Sequence, residues 1–191
     1  MDSLKIADHT PLILQKCGLE DKTILFSQGH LRNCLHEKGR NVHWHGLEKD
    51  DILNLQKWLC EPAMIIDSFS DDMSVIAVSD TVDSDNLPIM ACLRSNGEGS
   101  YELQTVKSNY LTSVYGRENF ENFFDRNLEA NFILYLNKEK TQRLESLCEL
   151  PLLAKCSNFE FDTIIHKTEN VVNGGTKPIL DKYKVEEFNQ K

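Results

Sequence analysis

The sequence predicts an α+β fold, with N-terminal helices packed on an antiparallel β-sheet of about four to five strands. Three observations predict it. Apolar residues recur at helical spacing through the first third of the chain. From residue 63 the apolar runs become short and are bounded by turn residues. The links between those runs, "SDDM" and "DTVDSDNL", are too short for crossover helices, so the strands pair as hairpins.

The elements follow in order. "TPLILQKCGL", 10–19, opens with Thr-Pro and reads as a short helix. "TILF", 23–26, reads as a short strand. Ser27 is then a natural N-cap, and Leu31, Cys34 and Leu35 form the buried face of a helix that Gly39 stops. "LEKDDILNLQKWLCEP", 47–62, reads as one amphipathic helix with Ile52, Leu55 and Leu59 inward. "AMIID", "SVIAVSD" and "PIMACLR" are strands, and "ELQTVKSNYLTSVYG", 102–116, is a further long or broken one. "RENFENFFDRNLEA" is a helix that buries Phe120, Phe123, Phe124 and Leu128. "NFILYLN" is the last strand, and a charged helix spans 138–149. Residues 1–149 therefore read as one domain. Residues 150–191 read as a C-terminal tail with partial order at best after about residue 173, near the Gly-Gly at 174–175.

The chain carries 21 Lys and Arg against 30 Asp and Glu, for a net charge of −9. That excludes broad, non-specific nucleic-acid binding, which needs positive charge against phosphates, but leaves room for a small local basic site. The six cysteines form no C-x-x-C pair and read as reduced core thiols. No apolar stretch is long enough to cross a membrane, and "MDSLKIADHT" lacks the features of a signal peptide. The expectation is a cytoplasmic chain. Walker, G-x-G-x-x-G, H-E-x-x-H and G-x-S-x-G motifs are absent.

The stretch "FSQGHLRNCLHEKG" places His30 and Arg32 at opposite edges of a buried helical face, with His36 four residues after Arg32. His30 lies in the first turn, where the positive helix end favours a neutral ring that accepts a proton. Arg32 is suited to hold a phosphate. The plainer reading is an amphipathic surface helix, which periodicity alone favours. "HWH", 43–45, offers two imidazoles without a third ligand, and Trp44 reads as a packing anchor for the loop. In "TSVYG", Ser113 and Tyr115 share a strand face, either toward a cleft or toward the core. Ser68 and Ser79 are weaker candidates of the same type. Ser27, Lys107 and Lys138 are candidates for substrate binding, although charge runs such as those around the two lysines are commonly solvated faces.

Taken together, "FSQGHLRNCLHEKG", "LEKDDILNLQKWLCEPAMIIDS", "SVIAVSDTVDSDNLPIMACLR", "LTSVYGRENFENFF" and "FILYLNKEKTQ" resemble the C-terminal domain of phage MuF-like minor head proteins. That family is grouped with nuclease-like proteins of the barnase–EndoU–colicin–RelE (BECR) fold. The resemblance covers roughly residues 10–145. It implies a toxin-like, metal-independent ribonuclease that needs no cofactor, delivered by phage or secreted as an effector. RNA would be its substrate, and an immunity or phage protein its partner. It places the catalytic set on His30, Arg32, His36, Ser113 and Tyr115, and the chain departs from the family pattern at Asn33 and Cys34. The implied chemistry is transesterification: a base takes the ribose 2′-hydroxyl proton, and a cation stabilises the charge that develops at phosphorus. The alternatives are a non-catalytic protein-binding or virion-associated module of the same fold, and a nucleotide-dependent transferase.

Overall fold

In the computed structural model, described here for residues 3–41, 43–68, 74–102, 104–167 and 183–187, the central strands are apolar on both faces. Strands β1 (Leu4–Ala7) and β2 (Ile24–Phe26) flank helix α1 (Leu12–Lys16). Helix α2 (Gln28–Leu35) follows, then the short helices α3 (Lys49–Leu53) and α4 (Leu55–Cys60). Strands β3 (Met64–Asp67), β4 (Ser74–Val82), β5 (Pro88–Tyr101) and β6 (Gln104–Gly116) come next. Helix α5 (Phe120–Glu129), strand β7 (Ile133–Leu136), helix α6 (Lys138–Cys148), and strands β8 (Thr163–Lys167) and β9 (Tyr183–Glu187) complete the order.

The strands form a nine-stranded mixed sheet in the order β1-β2-β6-β5-β4-β3-β7-β8-β9. Two expectations are corrected here. The sheet is larger than four to five strands, because short segments at both ends of the chain add to its edges. It is also not wholly antiparallel, since β2 pairs parallel with β6, Leu25 lying opposite Tyr110. The strand sequence alternates accordingly. Ile65, Ala77, Ala91 and Val114 belong to one apolar cluster, together with Leu14 of α1, Cys34 of α2, Ile52 of α3 and Leu59 of α4. Met64, Ile66, Val78 and Met90 belong to the other, together with Phe120 and Phe124 of α5 and Leu144 of α6. The period of two along each strand sorts side chains between the two clusters.

Local chemistry explains the helix ends. Ser27 Oγ accepts the His30 N–H at 3.1 Å, as its N-cap position requires. The single helix expected over 47–62 is two short ones. Asn54 lies between them, its Nδ2 donating to the Asp50 carbonyl at 2.8 Å, and this competes with a continuous helical ladder. Leu35, expected inside, is 37% exposed because α2 ends there. Cys60 is exposed rather than a core thiol, while Cys17, Cys34 and Cys156 are buried, and none of the six cysteines forms a disulfide. Among the described residues no helix is long and apolar enough to cross a membrane. The "SDDM" turn lies outside the described residues, and the expected loss of order after residue 173 falls largely outside them.

Asn109 of β6 ties the N-terminal segment to the sheet. Fully buried, it donates through Nδ2 to Thr10 Oγ1 and to the Glu20 carbonyl, both at 2.7 Å. Asn109→Ala is expected to cost about 1–3 kcal/mol, because buried acceptors lose their donor. Urea denaturation measures it, and an unchanged midpoint would show that the segment is held elsewhere.

Candidate functional site

The site begins where α2 ends. His36 turns extended, with ψ 144, and the chain then loops back under the helix. His45 N–H donates to the Asn33 carbonyl at 3.0 Å, Gly46 to His36 at 2.8 Å and Leu47 to Cys34 at 2.8 Å. These bonds satisfy carbonyls that a helix C-terminus otherwise leaves without partners. Gly46 has φ +67, and a Cβ there would sit 3.1 Å from Lys38 Cβ, so the returning loop runs tight against the outgoing one. Leu47 is buried in the core. His45 is thus held in place although it lies in a loop.

The opposite wall is the end of β6. Val114 points into the cluster that contains Cys34, so Tyr115 points the other way. Gly116 leaves no room for a side chain, because a Cβ would overlap the Asp83 carboxylate. Asp83 Oδ1 accepts the N–H groups of Asp85 and Leu87, both at 2.9 Å. Arg117 N–H donates to the Pro88 carbonyl at 2.9 Å.

Between these walls lies an open cavity of about 480 Å³, lined by Lys38, Trp44, His45, Tyr115, Arg117 and Glu118 among others. The His45 and Tyr115 rings are 5.2 Å apart. His36 stacks on Trp44 at 4.5 Å. Burial holds His45 below its ordinary pKa, helped by His43 and Lys38, so the ring is neutral near pH 7. Burial pushes the Tyr115 phenol up, and the nearby positive charge of Arg117 partly offsets this. Arg117 Nε is buried without a partner, and the guanidinium lies 5.0 Å from the Phe123 ring centroid. Lys38 pairs with Asp85 at 2.9 Å and with Glu118 at 3.6 Å. The cavity therefore combines a neutral imidazole, a protonated phenol and a permanent cation. Among the described residues no three His, Cys, Asp or Glu side chains gather as a metal set.

The sequence-derived candidates divide. Tyr115 lines the cavity, and His36 reaches it through Trp44. His30 and Arg32 do not line it; His30 Nδ1 is buried without a partner, and Arg32 Nε bonds the Gln28 carbonyl at 3.2 Å. Ser113 lies two residues back on β6, opposite Cys92. Ser27 is spent on its cap. Lys107 and Lys138 are exposed, Lys138 lying 5.8 Å from the Phe161 ring centroid. Ser79 Oγ is taken up by Thr81.

The profile of the phage MuF-C-terminal domain matches residues 36–143, more than half of the chain. The chain belongs to the phage MuF-C-terminal domain family. No curated protein and no solved structure matches it. In this MuF-C-terminal domain the matched region contains every residue that lines the cavity, whereas Ser27, His30 and Arg32 precede it. Sequence reasoning read His45 only as one of two imidazoles without a third ligand and Trp44 as a packing anchor, and it missed Lys38 and Arg117. "HWH" reads as a strand pair only if the stretch is extended. The structure makes it a loop, with His43 exposed and His45 turned into the cavity. A basic residue directly after the Tyr-Gly end of a strand was the available signal for Arg117.

His45 is expected to titrate below its ordinary value of 6.5 in a histidine NMR pH series. Because burial is the largest cause, Lys38→Ala should move it up only slightly. The unfolded chain takes up this proton more readily than the folded one. Stability is therefore highest above the ordinary value and falls as pH drops through it toward the lower folded one. Titration at or above 6.5 would mean that the ring is not enclosed.

Proposed function

We propose that this MuF-C-terminal domain is an RNA-cleaving, toxin-like enzyme that works by acid–base transesterification without a metal, and that it shares the BECR nuclease fold. The observation that carries the reading is the convergence of His45, Tyr115 and Arg117 on one open cavity. His45 Nε2 or Nδ1 takes the proton from a ribose 2′-hydroxyl. The 2′ oxygen bonds to the adjacent phosphorus, and the bond from phosphorus to the 5′ oxygen breaks. Tyr115 gives its proton to that departing oxygen, and the nearby positive charge of Arg117 stabilises the phenolate left behind. Arg117 also faces the equatorial phosphate oxygens, where its charge offsets the negative charge that develops. Trp44, already stacked on His36, offers a ring face for a base.

The family resemblance alone pointed to His30 and Arg32. The cavity favours His45 and Arg117 in the same two roles, base and clamp, with Tyr115 common to both readings. The net charge of −9 suits a substrate recognised by shape and by local contacts rather than by a broad basic face.

Cleavage of total RNA by purified protein tests the reading. His45→Ala and Tyr115→Phe should each lower the rate by about 10²–10⁴, the range of general acid–base catalysis. Arg117→Ala should do the same, while the His30→Ala/Arg32→Ala pair should stay within a few-fold. The opposite ranking would return the site to α2. Intact RNA with folded wild type would favour the non-catalytic module.

A further inference from the structure

Arg117 lines two cavities, not one. The second, of about 290 Å³, is lined by Asn86, Asn119 and Asn122 beside Arg117, with Leu87 and Leu150 as apolar lining. We infer that this smaller cavity is a nucleobase subsite for single-stranded RNA, a reading that rests on the ribonuclease proposal above.

The argument is first one of connectivity. A phosphate held on Arg117 has a nucleoside on each side. If one occupies the His45–Tyr115 cavity, the other lies near the smaller cavity, because Arg117 lines both. The second point is chemistry. Three carboxamides converge there, and each offers two donors and one acceptor group. None of the three is used in a hydrogen bond among the described residues. Among the described residues Arg117 is the only cation that lines the cavity, and Glu121, the only carboxylate there, is held by Lys155 at 2.7 Å. Neutral amides above apolar walls suit the polar edge and flat face of a base rather than a second phosphate.

The backbone that carries the amides is also held in place. Asn86 sits at φ 60 in the turn locked by Asp83, its N–H bonded to the Asp83 carbonyl at 3.0 Å. Asn119 sits at φ 50 as the N-cap of α5, its carbonyl accepting the Phe123 N–H at 3.1 Å, and Asn122 is in the first turn of that helix. An unpaired base can present its Watson–Crick edge to such a group, and a paired one cannot. Base contacts also supply affinity that does not depend on positive charge, which suits a chain of net charge −9.

The test uses isotope-labelled full chain and the four 2′-deoxy homotetranucleotides, which lack the nucleophile and are not cut. The side-chain amide signals of Asn86, Asn119 and Asn122 should shift with one tetranucleotide more than with the other three. Asn122→Ala, an exposed position, should weaken that one about tenfold and level the preference, in line with the loss of a base-edge contact. Failure of every tetranucleotide to bind, or binding that leaves the three amides and the Asn122→Ala affinity unchanged, overturns the subsite. Cleavage is scored separately on the matching RNA. Cutting with unmoved amides removes the subsite and leaves the ribonuclease reading. Amide-selective binding without cutting does the reverse.

Discussion

The central strands β3, β4 and β5 bury side chains on both faces, and that double burial constrains the rest of the chain. Met64, Ile65 and Ile66 are all 0% exposed, so neither face of β3 can be left to water. The N-terminal helices and α5 and α6 contribute to different apolar clusters, so each face receives its own apolar partners. At about 25 cal/mol per Å² of apolar surface, a sheet left bare on one side would lose much of its stabilisation. The same constraint determines where function can lie. Along β3 and β7 every position is buried, which leaves strand ends and the loops that meet them as the places open to reactive side chains.

The cavity is at such an end. Its two walls are positioned by backbone hydrogen bonds rather than by side-chain packing alone. The loop that carries His45 is anchored to the last carbonyls of α2, and the Arg117 backbone is anchored to Pro88. Charge is arranged just as locally. Lys38 is largely neutralised by Asp85 and Glu118, which leaves Arg117 as the cation best placed to meet an incoming anion. At physiological salt, exposed charges act over roughly 8 Å, so the excess of carboxylates elsewhere on the chain weighs little inside the cleft.

Much of the scaffold was legible in the sequence, and the reason is periodicity. The phenylalanine face of α5, the three central strands, the Ser27 cap and the inward Leu31 and Cys34 all follow from patterns repeated within one element. What escaped is what periodicity cannot encode. β1, β8 and β9 are short, and their strand character depends on a neighbouring strand. Asn54 splits a helix through one side-chain bond. The candidate site was legible only in part. Alternation put Ser113 and Tyr115 on one strand face but left open whether that face met a cleft or the core, and only Tyr115 lines the cavity. His45 could not be placed, because its direction depends on which carbonyls the loop reaches. Arg117 could not, because the turn at Asp83 that backs it comes from another hairpin.

The parallel pairing of β2 with β6 has a kinetic consequence. Its partners lie far apart in the chain, and no hairpin brings them together. The β3–β4–β5–β6 meander can form from neighbouring segments, but β2 must find its place by closing a long loop. The entropy of that closure is lost before any contact compensates for it. On this topology the N-terminal segment docks last. Until it does, the outer edge of β6 is an unpaired strand, the kind of surface on which newly made chains pair with one another.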